Sequence, residues 1–188
     1  MCKRGDIMLA SNEVYNNFVN DFSSKMYNLK TDIPFSDYIF LCVGSDKIIG
    51  DAFGPLVGRN LEKAFKNFYN NIKVVGTLEN PVSGTNLENE VKKIYDRYEK
   101  PCIIAIDAAL SNKEDIGKII VTNSKMQFKR ATSKNMIEIG DISIKGIVAR
   151  DYKVSRYNFR ELSNASLNIV MNLANVTSDG IYNVIKYR

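Results

Sequence analysis

Short continuous runs of apolar residues alternate with amphipathic stripes through the first part of the chain. The runs are typical of strands buried on both faces of a sheet, and they occupy 38–44, 72–78 and 101–110. The stripes between them place apolar side chains on one helical face, at 54–68 and 86–98. Strands that alternate with helices predict an α/β fold, a three-layer sandwich with a mainly parallel central sheet.

The two ends of the chain follow other patterns. Apolar residues recur four apart before the first run and predict a helix over 11–29. After the third run, strands are predicted at 117–123 and 141–149, and the polar stretch between them is interpreted as an ordinary surface excursion. A closing helix is predicted over 159–176, with an extension that continues through 181–187.

The predicted elements form one unit. No internal repeat, low-complexity tract or linker interrupts the pattern. We therefore expect a single α/β domain over 38–188, preceded by an N-terminal helical extension over 1–37. A chain of 188 residues is long enough to bury a sizeable core.

Composition narrows the class of protein. Apolar residues make up 45% of the chain and charged residues 25%, as in an ordinary soluble globular protein. No apolar stretch is long enough for a membrane span or a secretory signal, so we expect a cytoplasmic protein with no membrane partner. The formal charge of +5 comes from scattered Lys and Arg, a pattern that does not favour nucleic acid as a partner.

The most restrictive feature of the composition is that the chain has no histidine. Ser-His-Asp and Cys-His catalysis are therefore excluded, and so are zinc sites built on histidine. The cysteines do not replace them, because Cys42 and Cys102 fall in apolar runs and are interpreted as buried hydrophobes. Acid–base chemistry would then fall to Asp, Glu, Lys, Tyr or Cys.

Two aspartates follow predicted strands. Asp51 lies in the loop after the first strand, just before the helix at 54–68, and Asp107 is interpreted as the end of the third strand. In such folds the functional crevice lies beyond the carboxyl ends of the strands. If the first and third strands are neighbours, the two carboxyls share that crevice, and one of them keeps a proton. Such a pair can hydrolyse a bond without histidine.

Simpler and competing interpretations stay open at this point. An aspartate near a helix start often only caps the helix, and one at a strand end often only binds loop amides. Glycine-loop nucleotide binding and a serine elbow both lack their motifs. Ser45 as a nucleophile with Lys47 or Lys145 as its base has no supporting pattern. A divalent cation is chemically compatible with a set of carboxylates, drawn from Asp46, Asp51, Glu79 and Asp107.

Four blocks of the sequence occur in a fixed order, and they read GSDKIIGDAFGPLVG, GTLENPVSGTNL, IIAIDAALS and GDISIKGIV. Together they resemble the YyaC family of sporulation proteins. The resemblance runs from about Tyr38 to the final helix, and residues 1–37 carry none of it. The family is similar to a shortened germination protease of spore-forming bacteria, which shares a phosphorylase/hydrolase-like α/β sandwich with the hydrogenase maturation proteases.

The resemblance implies an aspartic-type endopeptidase of sporulation. The catalytic aspartates of germination protease lie in a D-A-x-G-P loop and an I-D-A strand end, which match Asp51 and Asp107 here. It further implies a protein substrate such as the small acid-soluble spore proteins and a cytoplasmic or forespore location. No cofactor is expected, and the sequence is compatible with a homo-oligomer.

Substrate contacts are predicted for polar loop residues, namely Asp46, Asn80, Ser83 and Asn86. Residues of these types equally suit turns and helix caps.

The chain departs from its relatives in one respect that bears on function. Hydrogenase maturation proteases bind nickel through two acidic residues, which match Asp51 and Asp107, and a histidine that this chain lacks. No metal is therefore expected. Ser83 stands where many YyaC-like chains have histidine. Two other functions stay open: a catalytically silent peptidase-like regulatory protein of sporulation, and a small-molecule hydrolase or binding protein.

Overall fold

The computed structural model describes residues 4–29, 35–66, 70–129 and 136–187. The strands are β1 (Asp37–Cys42), β2 (Ile72–Val75), β3 (Pro101–Ser111), β4 (Ile119–Thr122), β5 (Met126–Lys129), β6 (Met136–Ile139) and β7 (Ile142–Arg150). The helices are α1 (Arg4–Tyr27), α2 (Phe53–Phe65), α3 (Leu87–Arg97), α4 (Ser155–Ser163) and α5 (Leu167–Lys186). Within these ranges, no helix combines the length and the apolar character that crossing a membrane requires.

The central sheet has five strands in the order β2-β1-β3-β7-β4. β2, β1, β3 and β7 are parallel, and β4 pairs with β7 in the antiparallel direction at one edge. The chain moves from β1 to β2 on one side and then returns to β3 on the other side of β1. The strand order therefore reverses between β1 and β3, which is where α/β sheets open a crevice at their carboxyl ends.

Both faces of the sheet are covered. One face, with Phe40 and Ile104, packs against α1, α2 and α5, and the other, with Ile39 and Ile103, packs against α3 and the β5–β6 hairpin. Alternate residues of a strand point to opposite faces, which is why a continuous apolar run serves both layers. The predicted α/β sandwich with a mainly parallel sheet is confirmed.

Two predicted regions differ in the structure. The polar stretch predicted as a surface excursion instead forms β5 and β6, which pair with each other. It is structured because Met126, Phe128 and Ile139 are buried against the sheet; its residues 130–135 lie outside the described ranges. The single closing helix is in fact two helices, α4 and α5, because the chain turns at 164–166 and Ser166 caps α5 through a bond from the Ile169 amide.

The N-terminal helix shares the core of the sheet. α1 runs from Arg4 rather than from residue 11, and it packs against α5. Phe18, Phe22 and Met26 are buried in the same cluster as residues of β1 and α2.

The start of α2 lies very close to the end of β1. A Cβ atom on Gly54 would be 2.0 Å from the carbonyl oxygen of Val43, and one on Gly44 would be 2.0 Å from the carbonyl oxygen of Asp51. Gly44 also has a φ of 144°, which residues with a side chain rarely adopt. The loop that carries Asp51 is thus held against the strand end by contacts that only glycine permits.

Replacing Gly54 with alanine should lower the free energy of unfolding by roughly 1–3 kcal/mol or more, because the strand end or the helix must move to admit the new methyl group. Urea titration measures this loss. Lys63→Ala, on the exposed side of the same helix, is the control and should change stability by less than about 0.5 kcal/mol. Equal stability of the two variants would contradict the close approach of α2 to β1.

Candidate active site

Asp51 lies in a short 3-10 turn, Gly50–Ala52, that leads from the first loop into α2. The Ser45 amide donates to the Asp51 carbonyl oxygen over 3.2 Å. On the outer side, the turn packs against α4, since a Cβ on Gly50 would be 2.9 Å from a terminal carbon of Leu162. The aspartate is therefore on a fixed turn, with its residue partly buried, and not on a fully solvated loop.

Asp107 lies inside β3, and the prediction that it ends the strand is wrong. β3 continues to Ser111 because β7 pairs with it along this whole length. β1 stops earlier, and its last residue, Cys42, pairs with Ile106. Asp107 is thus the first residue of β3 beyond β1, so its backbone borders the crevice although the strand goes on.

Lys145 is directly opposite Asp107 in the neighbouring strand β7. Ile106 and Ile144 belong to the core cluster on the α2 side of the sheet. The residues that follow them, Asp107 and Lys145, therefore point to the α3 side, because successive residues of a strand alternate between the two faces. The two side chains therefore share one face of the sheet. No local sequence pattern indicates this neighbour, because nothing near either residue shows that β7 lies beside β3.

The two predicted aspartates are brought into electrostatic contact. Burial raises the pKa of Asp107 well above its usual range, and the negative charge of Asp51 raises it further. The Ala108 amide, which donates to the Asp107 carboxylate over 2.8 Å, and the charge of Lys145 act in the opposite direction. Burial also raises the pKa of Asp51, and a hydrogen bond from the Ser45 backbone opposes this.

This arrangement separates the protonation states of the two carboxyls. Asp107 has the stronger upward pKa shift, so it is the carboxyl that keeps its proton to higher pH. An ionised carboxylate can accept a proton from water, and a neutral carboxyl can donate one to a leaving group. The site therefore contains the two groups that acid–base hydrolysis requires.

The other predicted site residues are exposed or form hydrogen bonds within their own loop. Asp46 is exposed in the first loop. The Asn86 side chain accepts from the Ser83 amide over 2.8 Å and donates to the Pro81 carbonyl over 3.0 Å, so it shapes its own loop. The Asn80 backbone bonds to Thr77 in the same loop.

Asn80 and Asn86 also line an open cleft of about 550 Å³ beside β2. Neither Asp51 nor Asp107 is among the residues that line this cleft. The four polar residues remain predicted substrate contacts, and the local bonds of Asn86 favour a turn role for it.

The carboxylates of the chain do not fit a metal site of the nickel type. In the part of the chain that the structure describes, no group of three His, Cys, Asp or Glu side chains is gathered closely enough to hold an ion. Glu79, a candidate ligand, instead faces Arg59, with 3.6 Å between the Glu79 carboxylate and Nε.

Comparisons with known proteins agree with this architecture. A family model described as "Protein of unknown function (DUF1256)" matches residues 7–180. The uncharacterized protein YyaC of Bacillus subtilis (strain 168) is 33% identical over 144 residues, which cover 76% of this chain and 67% of that protein. The family region thus includes α1, contrary to the expectation that residues 1–37 carry none of the resemblance, because α1 is packed into the core.

The fold is also seen in a solved structure. The [NiFe] hydrogenase maturation protease HycI from Thermococcus kodakarensis KOD1 aligns with a TM-score of 0.57 over 88% of this chain and 98% of that one, at 16% sequence identity. The expected likeness to the hydrogenase maturation protease fold is therefore confirmed at the level of the fold.

Replacing Asp107 with asparagine should change how stability depends on pH. The folded chain binds the Asp107 proton more tightly than the unfolded chain, so this group's contribution to stability is complete below the ordinary carboxyl pKa and is lost as pH rises through the raised pKa. Asparagine does not titrate. The variant should therefore be more stable than the wild type near pH 7, and the difference should vanish toward about pH 3.

Urea unfolding at several pH values tests this expectation. Asp96→Asn, an exposed position on α3, is the matched control and should give no pH-dependent difference. If Asp107→Asn is less stable than the wild type near neutral pH, folding does not raise the pKa of this carboxyl.

Proposed function

The chain belongs to the DUF1256 family, and we propose that it is a peptidase-like hydrolase that uses Asp51 and Asp107 as an acid–base pair. The observation that carries the proposal is the electrostatic coupling of these two carboxyls at the point where the strand order reverses. The coupled pair occupies the place where α/β sheets bind ligands. The fold shared with HycI, a protein named as a maturation protease, supports the same class.

The chemistry assigns a different role to each residue. Asp51, ionised, takes a proton from a water whose oxygen then adds to the carbonyl carbon of the scissile amide. Asp107, protonated, gives its proton to the amide nitrogen as the C–N bond breaks. One water is consumed, a carboxylic acid and an amine are released, and transfer of a proton from Asp51 to Asp107 restores the starting state.

Lys145 has a supporting role in this scheme. Its ammonium group is on the same sheet face as Asp107 and lowers the pKa of that carboxyl. A fixed positive charge at this position would stabilise the negative charge that develops on the carbonyl oxygen. It also limits how far Asp107 is shifted, which keeps the acid able to release its proton.

The biological setting follows from the family resemblance. The relative YyaC and the matched motifs lead us to place the protein in the sporulating cell, in the cytoplasm or the forespore, with polypeptide substrates of the germination-protease type such as small spore proteins. The absence of a histidine ligand separates the proposed chemistry from nickel-dependent recognition.

A catalytically silent regulatory protein of sporulation is the second candidate. One observation favours it: Ser83, which stands where a histidine is expected from the resemblance, shares a hydrogen bond of 3.0 Å with Thr85. A serine that is engaged in its own loop cannot replace an imidazole as a base.

Cleavage of a mixture of small spore proteins, followed by mass spectrometry, tests the enzymatic proposal. Asp51→Asn and Asp107→Asn should each lower the cleavage rate by at least about 100-fold, because each removes one half of the acid–base pair. Asp96→Asn, on the exposed side of α3, should cleave at the wild-type rate. No cleavage by folded wild-type protein between about pH 4 and pH 7 would favour the silent regulatory protein instead.

Replacing Lys145 with methionine should move the alkaline limb of the pH–rate profile to higher pH. The lysine lowers the pKa of Asp107, so its removal lets the acid keep its proton over a wider range, while the maximal rate falls. The profile of kcat/KM against pH measures both effects, with Lys92→Met on exposed α3 as the control. An alkaline limb that stays in place or moves to lower pH would show that Lys145 does not lower the pKa of the catalytic acid.

A further inference from the structure

A group of exposed aromatic and arginine side chains lies at the end of β7 and on α4. We call it the arginine–tyrosine platform, and it consists of Arg150, Tyr152, Arg156, Tyr157 and Arg160. The fractional exposure is 44% for Tyr152 and 47% for Tyr157. Large apolar side chains that stay in water next to one another are typical of interaction sites rather than of ordinary surface.

The platform has a defined geometry. The Arg150 guanidinium is 4.7 Å from the centre of the Tyr152 ring, and that of Arg156 is 5.5 Å from the centre of the Tyr157 ring. The two tyrosine rings pack edge to face, with centroids 6.2 Å apart. These cation–π and aromatic contacts orient the side chains before any partner binds, which reduces the entropy lost on binding.

The turn that begins the platform is held by a hydrogen-bonded carboxylate. Asp151 accepts from the Lys153 amide over 2.7 Å and from the Asn158 side chain over 2.8 Å. Asn158 in turn accepts from the Tyr152 amide over 2.8 Å. Lys153 has a φ of 58°, an uncommon value for a residue with a side chain, and the bonds of Asp151 maintain it.

The platform borders the candidate active site. α4 packs through Leu162 against Gly50, the residue before Asp51. β7 carries both Lys145 and Arg150, five residues apart, which corresponds to roughly 16 Å along a strand. A chain bound across the platform would therefore lie beside the carboxyl ends of the strands.

We propose that the arginine–tyrosine platform docks an acidic, apolar-containing segment of a partner polypeptide. No ion pair among the described residues involves Arg150, Arg156 or Arg160, so their charges are available to a partner. The Asp151 carboxylate is already paired with Lys153, which leaves Glu161 as the carboxylate that faces the adjoining groove.

The composition and the shape of the surface also suit a polypeptide. Tyrosine and arginine are the residue types most enriched at the energetic centres of protein interfaces. The groove, of about 520 Å³, is lined by Tyr152, Tyr157, Arg160, Glu161 and Asn164, and it has room for a few side chains.

The same geometry favours a polypeptide over single-stranded nucleic acid. Bases stack on open aromatic faces. Here each tyrosine has an arginine of its own over the ring, and the two rings meet edge to face.

Docking by the platform does not require cleavage. That the docked polypeptide is the substrate rests on the proposed hydrolase function; that the surface binds an acidic segment does not. The experiment therefore measures binding and cleavage separately.

Fluorescence anisotropy of the full chain should compare three labelled probes: a short peptide of alternating glutamate and leucine, the same peptide with lysine in place of glutamate, and a thymidine oligonucleotide of similar length. The acidic peptide should bind most tightly, and added salt should weaken it. The double variant Arg156→Glu, Arg160→Glu should lose at least tenfold in affinity. Arg97→Glu on α3, an exposed arginine that also contacts a tyrosine ring, should lose less than twofold.

Each outcome decides the proposal. Equal binding of the two peptides, no binding of the acidic peptide, or equal losses in the double variant and in Arg97→Glu would overturn it. Tighter binding of the oligonucleotide, lost in the double variant, would reassign the platform to nucleic acid.

Thermal melts exclude unfolding of the variants, and the double variant Arg156→Lys, Arg160→Lys should retain most of the binding. If the protein binds but cleaves nothing, the hydrolase proposal fails and the docking proposal stands.

Discussion

The contact between the end of β1 and the start of α2 is the constraint on which the candidate site depends. Gly54 and Gly44 allow backbone atoms to approach at distances that a side chain would block, since a Cβ atom on either glycine would be 2.0 Å from a carbonyl oxygen. This approach sets where the turn Gly50–Ala52 runs, and hence where Asp51 is held. The loop is therefore held against the sheet by backbone packing, and the position of Asp51 follows from that packing rather than from side-chain bonds.

The strand order supplies the second half of the site. Because β1 has β2 on one side and β3 on the other, the loop after β1 and the middle of β3 meet at the reversal of strand order. Apolar runs and helical stripes were sufficient to predict the α/β class and the five-element core of the fold, and to single out two aspartates that the structure brings near each other. These features follow from local periodicity and from a general rule of parallel sheets, so no tertiary detail was needed.

Features that depend on pairing across the sheet could not be predicted in this way. The extension of β3 to Ser111 exists because β7 continues beside it, and the position of Lys145 opposite Asp107 follows from the same pairing. The β5–β6 hairpin has a polar sequence overall, and among its described side chains Met126, Phe128 and Ile139 give it a buried side. In each case the deciding interaction joins residues that are distant in the sequence.

Two pairs of aspartates in the described part of the chain have pKa values shifted in opposite directions. Hydrogen bonds from Lys118 and Ser111 lower the pKa of Asp115, and bonds from Lys153 and Asn158 lower that of Asp151 to about 2, so ionisation of these groups favours the fold. Asp51 and Asp107 have raised pKa values, because burial opposes their charge and too few donors compensate for it. Burying these two groups works against folding near neutral pH, so stability does not explain them. The proposed reaction, which needs one neutral and one ionised carboxyl, would account for both.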